Sequence, residues 1–400
     1  MSWNGHLVLD ADSHVYERAD VTYQDLVDPE YADQYALLCK AIKQQTDGGK
    51  HYALFETRDA VVEPFIGGLP LGVHETFGLT EQGGGGSPRV EGGGEASASP
   101  VPPLDVNTNP RARAEAMDLA GIDVNVIFPT HASSYCAFRD IGFETALHRA
   151  YHRYVSSYCA QVPDRMKWIM LVNTRDVRTA VDEVTYWGER DNNMVGVYLP
   201  PMADGRKHLD SPDFHPLYQR AQDLDVPMVV HIGVARPPYM PGTMDLDGRS
   251  FLIRALTPGW AGMAAMGSLI GGGVFDLFPT LRIGLFETHA GWMPFAVEQF
   301  ENGARRAASQ VPHMRTPMRE VIASGRYFHG IETGEEGLRL AMEEFGEDIW
   351  LFTTDFPHRG SPWPNGVQEA IEPAWMTENA KRKMLGENAL RFYTRIKRPS

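Results

Sequence analysis

Cysteine is scarce. Three residues in 400, Cys39, Cys136 and Cys159, form neither a disulfide framework nor a metal-type spacing. A reducing cytoplasm is the expected compartment, with each thiol acting as a small core residue. Basic residues are also in deficit: 37 Lys and Arg stand against 52 Asp and Glu, for a net charge of −15. So acidic a surface repels phosphate backbones and anionic lipid, which argues against nucleic acid and membranes as partners. No apolar run reaches the roughly 18 residues of a spanning helix. Residues 1–6 lack the basic and apolar regions of a signal peptide. No glycine-rich turn follows the first apolar run, so a doubly wound dinucleotide-binding sheet is only the second choice of fold.

What the chain does have is eight short apolar runs, most rich in β-branched or aromatic residues. They are 7–12 (LVLDAD), 125–130 (NVIFPT), 168–173 (WIMLVN), 195–200 (VGVYLP), 227–233 (PMVVHIG), 282–289 (RIGLFETH), 326–332 (RYFHGIE) and 349–355 (IWLFTTD). Continuous apolar runs of this length suit parallel strands covered on both faces. Helix-compatible segments lie between them at 110–120, 143–160, 177–189, 213–224 and 293–308, and a tail at 377–396 can close the structure from outside. Ser211 and Pro212 form a cap signal before 213–224. The repeat predicts an α/β fold, a single (β/α)₈ TIM barrel over 1–400.

One stretch breaks the alternation. Residues 15–108 separate the first strand from the helix before the second, too many for an ordinary loop. They are expected to form an insertion with a cap-like part at 16–73. At 79–103 (LTEQGGGGSPRVEGGGEASASPVPP) the Gly, Ser and Pro content predicts disorder.

Ionisable residues gather at the C-terminal ends of the strands: Asp12, His14, His231, Glu287, His289, Glu332 and Asp355. In a barrel these ends share one mouth, where active sites sit. Strand alternation predicts that Asp12 and His14 point the same way, and Glu287 and His289 likewise. Burying so many charges without a cation is costly, so a divalent metal is expected, with Asp12, His14, His231 and Asp355 as ligands. Singly, each has a plainer explanation: Asp12, Asp355 and Glu332 as turn or helix caps, His14 and His231 as hydrogen-bonded core histidines. The constellation carries the argument.

The segments LDADSHVYE (9–17), RAEAMDLAGIDVNVIFPT (113–130), VGVYLPP (195–201), VPMVVHIG (226–233), FETHAGWMPF (286–295) and FTTDFPH (352–358) resemble the amidohydrolase superfamily. The likeness is to its amidohydrolase-related branch, which contains aminocarboxymuconate-semialdehyde decarboxylase and the aromatic-acid decarboxylases. That resemblance implies metal ligands at Asp12, His14, His231 and Asp355, with His289 as base or substrate polariser. The chain departs from the pattern in two ways. Asp12 replaces the first histidine of the strand-one pair, and this oxygen ligand tilts preference from Zn towards Mn or Fe. Strand four has no lysine to carboxylate, which disfavours the bridged hydrolytic dimetal centres.

The expected activity is metal-dependent hydrolysis or non-oxidative decarboxylation of a small or medium-sized organic acid or carbonyl compound. His289 and Asp355 are the proton-shuttling catalytic candidates, and His358 and Arg359 the substrate-binding ones. One metal ion is favoured. A second could draw on Glu287, His289 and Glu332, and two iron ions there would make a dinuclear non-heme iron monooxygenase the alternative. A non-catalytic binding barrel is the third reading. The expected partner is a small-molecule substrate, with a homo-oligomer left open.

Overall fold

The computed structural model describes residues 3–17, 19–47, 104–134, 140–202, 207–232, 250–358 and 360–398. Its frame is one eight-stranded sheet in sequence order, every pairing parallel. The strands are β1 Leu9–Val15, β2 Val124–Pro129, β3 Met166–Met170, β4 Met194–Leu199, β5 Met228–His231, β6 Ile283–Phe286, β7 Tyr327–Ile331 and β8 Trp350–Phe352. All are buried along their length, as the unbroken apolar runs require. The first and last strands meet just beyond β8. There Asp12 O accepts from Thr354 N at 3.3 Å and Asp355 N at 3.0 Å, and His14 N donates to Phe356 O at 2.6 Å. The architecture is the expected (β/α)₈ TIM barrel.

The helices start where local chemistry satisfies their first free N–H groups. Asn109 accepts from Arg111 N and Ala112 N ahead of helix Pro110–Ala120, and Gly121 ends that helix at φ 72°. Asp140 caps Ile141–Cys159 and Asp176 caps Val177–Arg190 in the same way. Ser211 accepts from Asp213 N, but it caps a short 3-10 turn, Pro212–Phe214, that leads into helix His215–Asp223. The tail that was expected to close the barrel from outside is built of short helical pieces. Thr377 caps Glu378–Arg382, a π turn spans Lys383–Glu387, and Asn388–Phe392 follows. Tyr393 then donates to Ala11 O at 3.0 Å, and Phe392 packs where a side chain on Gly284 would stand.

Within the insertion, helices Ala19–Thr22 and Ala32–Asp47 flank a turn at Pro29–Tyr31. This unit docks on helix Ile141–Cys159: Asp28 pairs with Arg149 at 3.2 Å and Arg153 at 2.6 Å. The rest of the expected cap and the Gly-rich stretch 79–103 lie outside the described residues. Among the described residues no helix is long and apolar enough to cross a membrane.

Candidate metal centre

β1 runs three residues further than the apolar pattern suggests, so Asp12 and His14 sit inside a strand and share a face as alternation demands. A buried polar network fixes that strand. Asp10 accepts from Asn125 Nδ2 at 2.8 Å, Thr354 Oγ1 at 2.6 Å and Thr354 N at 3.0 Å. Arg113, fully buried, donates to His14 O at 2.7 Å, Ser13 Oγ at 2.9 Å and Asn125 Oδ1 at 3.3 Å. Glu17 accepts from Ala132 N at 2.6 Å and Thr130 N at 3.2 Å, anchoring the loop after β2.

Asp12 stands between two imidazoles. Its Oδ1 lies 3.3 Å from His14 Nε2 and its Oδ2 3.1 Å from His231 Nε2. Asp355 Oδ1 approaches His14 Nε2 to 3.2 Å. Glu287 lies 4.0 Å from His14 Nε2 and 3.8 Å from His231 Nε2. Both histidines bond a carbonyl through Nδ1, His14 to Pro129 O at 3.1 Å and His231 to Ile232 O. That bond holds a proton on Nδ1, so Nε2 is the nitrogen that would offer its lone pair to a bound ion.

Asp12 Oδ1, His14 Nε2 and His231 Nε2 are buried and make no hydrogen bond among the described residues, and Asp355 Oδ1 beside them faces the imidazoles of His14 and His358. A single such atom costs about 1–3 kcal/mol. Three of them together on Asp12, His14 and His231, with Asp355 Oδ1 3.2 Å from His14 Nε2, fit a bound cation. Ligand atoms of Asp12, His14 and His231 all lie within 4.8 Å of one another, as do those of His14, Glu287, Asp355 and His358.

The protonation pattern agrees with a site short of positive charge. Burial, with Asp355 nearby, pushes Glu287 up to about 8. Burial, with Glu287 nearby, does the same to Glu332. Burial also lifts Asp355 well above the carboxylate range, aided by Glu332 and Asp12. Burial works against Asp12 too, but His231 and His14 outweigh it and hold that carboxyl below the usual range. Burial draws His14 down to about 4, whereas Asp12 and Glu287 overcome the burial of His231 and raise it to about 10.

The outer residues fall elsewhere than the strand pattern suggests. β6 ends at Phe286, and Glu287 and His289 follow in a turn with φ of 52° and 56°. Alternation does not apply there, so the two side chains diverge. Glu287 turns to His14 and His231, while His289, 51% exposed, pairs through Nδ1 with Glu335 Oε1 at 3.4 Å. Neither His289 nor Glu332 joins a group of ligand atoms within 4.8 Å among the described residues. His358 stacks on His14 at 4.0 Å between ring centroids, and both its nitrogens are engaged: Nδ1 with Asp355 Oδ1 at 2.5 Å and Nε2 with Thr130 Oγ1 at 2.8 Å. Arg359 lies outside the described residues. Asp10, Arg113, Glu17, Asn125, Thr354 and Glu335 were not singled out from the sequence. Arg113 reads there as a solvated helix position, and Glu335 as one acid in a polar loop.

The family described as Amidohydrolase matches residues 102–395. Among curated proteins, gamma-resorcylate decarboxylase of Rhizobium radiobacter is 27% identical over 290 residues, 68% of this chain and 85% of the relative. Among solved structures, an amidohydrolase from Mycobacterium avium subsp. paratuberculosis K-10 gives a TM-score of 0.70 at 20% identity, covering 97% of this chain and 99% of that one. A dihydroxybenzoic acid decarboxylase from Polaromonas sp. JS666, with bound manganese and the inhibitor 2-nitroresorcinol, gives 0.64 at 17% identity, covering 98% and 97%. At these identities the structural likenesses speak for the barrel alone. The family match is the stronger finding, because it takes in β2 through β8 and hence His231, His289 and Asp355. On that ground the chain belongs to the Amidohydrolase family.

Proposed function

We propose that this chain is a divalent-metal-dependent, non-oxidative decarboxylase of a small hydroxylated aromatic acid. The convergence of unpartnered buried ligand atoms on Asp12 and His14 from β1 and His231 from β5, with Asp355 from the loop after β8 beside them, carries the metal half of the reading. The relative named gamma-resorcylate decarboxylase supports the reaction class. Asp12, His14, His231 and Asp355 would hold the ion, with Glu287 beside them. A bound cation supplies fixed positive charge that attracts an anionic acid into a mouth otherwise lined by carboxyls. Carboxylate oxygens beside two imidazoles suit manganese, the metal in the Polaromonas enzyme.

Decarboxylation breaks the bond between a ring carbon and its carboxylate. The electron pair left on that carbon takes a proton, and the products are CO₂ and the protonated ring. The protein must therefore hold the ring and deliver one proton. Asp355 and His289 are the proposed proton carriers. His358, engaged through both nitrogens, is proposed to orient Asp355 rather than to grip substrate. Cys39 and Cys159 are free thiols, which is consistent with the cytoplasmic location proposed here.

The test is CO₂ release from a panel of mono- and dihydroxybenzoates by manganese-loaded and metal-stripped protein. Release that needs metal and is lost in Asp355→Asn is the expected result. Oxygen uptake without CO₂ release, or metal-independent turnover, would overturn the proposal.

A further inference from the structure

His289 sits in an unusual frame. It and Glu287 hold positive φ without being glycine, a conformation costing about 1–3 kcal/mol per residue unless the surroundings impose it. The surroundings do so from β7 and the loop beyond it. His329 Nε2 donates to His289 O at 2.8 Å, while Tyr327 OH donates to His329 Nδ1 at 2.8 Å. Trp292 Nε1 donates to Thr288 O at 2.6 Å. The β7 loop also meets the β6 turn backbone to backbone: a Cβ on Gly337 would stand 2.6 Å from Gly291 Cα. Two glycines make that approach possible.

The carboxyl carried into this contact is Glu335. Its Oε2 accepts from Ala290 N at 2.7 Å, and its Oε1 accepts from Glu332 N at 2.8 Å while lying 3.4 Å from His289 Nδ1. The carboxyl is 10% exposed. Two backbone N–H groups fix the acid, so the acid in turn fixes the ring.

We infer that Glu335 is a positioning residue for His289, accepting the Nδ1 proton and so leaving Nε2 as the nitrogen that exchanges protons with substrate. This rests on the proposed decarboxylase reading for its catalytic consequence, though the pairing itself does not. Burial raises Glu335, but hydrogen bonds from His289 and the two backbone amides outweigh it and keep the carboxyl below its ordinary range. The partner thus stays an anion and a steady acceptor. The carboxylate comes from the loop after β7, while the histidine it serves follows β6.

The experiment has two arms. In the first, Glu335→Gln and His289→Asn are made singly and together in manganese-loaded protein; asparagine tolerates positive φ. Glu335→Gln is expected to lower kcat at least about 10–100-fold with KM within about 2-fold, the loss seen for carboxylates that orient a metal-bound imidazole. Added to His289→Asn, it should cost less than about 2-fold more, because its effect passes through the ring. An equal loss in both backgrounds would assign Glu335 a merely structural role and overturn the inference. The second arm needs no turnover. Imidazole ¹⁵N spectra of zinc-loaded, ¹⁵N-histidine-labelled protein should show His289 protonated at Nδ1 in wild type and shifted towards Nε2–H in Glu335→Gln. An unchanged tautomer overturns the pairing even if decarboxylation is confirmed. The expected tautomer shift with no CO₂ release from any acid would retain the pairing and refute the decarboxylase reading instead.

Discussion

Manganese titration of metal-stripped protein, followed by thermal unfolding, converts the four converging atoms into a measurable free energy. A ligand that binds only the folded state stabilises it by RT ln(1 + [L]/Kd), about 4 kcal/mol at a thousandfold excess over Kd. At about 2 °C per kcal/mol for a large domain, Tm should rise by about 8 °C and climb with the logarithm of free metal. The centre also predicts its own disruption. His231 Nε2 lies 3.1 Å from Asp12 Oδ2, and Asp12 is only 1% exposed. His231→Ala therefore leaves a buried carboxylate without that partner, a loss of about 3–5 kcal/mol even without metal. The variant should unfold earlier and show little manganese-dependent shift. Scanning calorimetry or dye-based melting reads both effects. A wild-type Tm indifferent to manganese and other divalent ions, or a full shift retained in His231→Ala, would refute the assignment of these atoms to a metal.

Three further outcomes follow from other parts of the molecule. Burial, with His152 alongside, lowers His148 to about 3, so it stays neutral in the fold while the unfolded chain protonates near 6.5. Its contribution is intact above that pH and shrinks as pH falls, by about 1.4 kcal/mol per unit. Between pH 7 and 5 urea unfolding should show about 2 kcal/mol of stability lost through His148, and that share of the slope should vanish in His148→Leu. Gly337→Ala should cost about 1–3 kcal/mol and lower kcat, because its methyl would meet Gly291 backbone at 2.6 Å; denaturant midpoints and kinetics check this. Arg113→Met strands the buried acceptors it serves on His14, Ser13 and Asn125, so stability should drop by about 3 kcal/mol and metal should bind more weakly, as calorimetric titration would show.

The barrel was legible because eight apolar runs alternated with helix signals that structure reproduces nearly to the residue, as at Pro110–Ala120. The inner candidate ligands were legible for a related reason. Asp12, His14 and His231 are ionisable residues inside or at the tip of apolar strands, where only a ligand or a strong partner justifies them. Legibility ended where the strands ended. β6 stops at Phe286, so a rule of alternation could not tell that Glu287 and His289 would part, and the backbone turn that separates them has no residue-type signature. Glu335 was hidden because its role depends on two loops touching at Gly291 and Gly337, a tertiary contact between distant segments. Arg113 was hidden because its helix also carries Arg111, and only the fold shows which of the two is buried.

The central claim is that this metal centre replaces a carboxylate on an aromatic ring by a proton. The most direct measurement runs the manganese-loaded protein with 2,6-dihydroxybenzoate and its hydroxybenzoate relatives in D₂O, with product analysed by mass spectrometry and proton NMR. One deuteron per product, at the carbon that carried the carboxylate, with one CO₂ released and no oxygen consumed, is the predicted result. Product bearing an oxygen at that carbon, or unchanged acid across the panel in protein shown to hold metal, would contradict it.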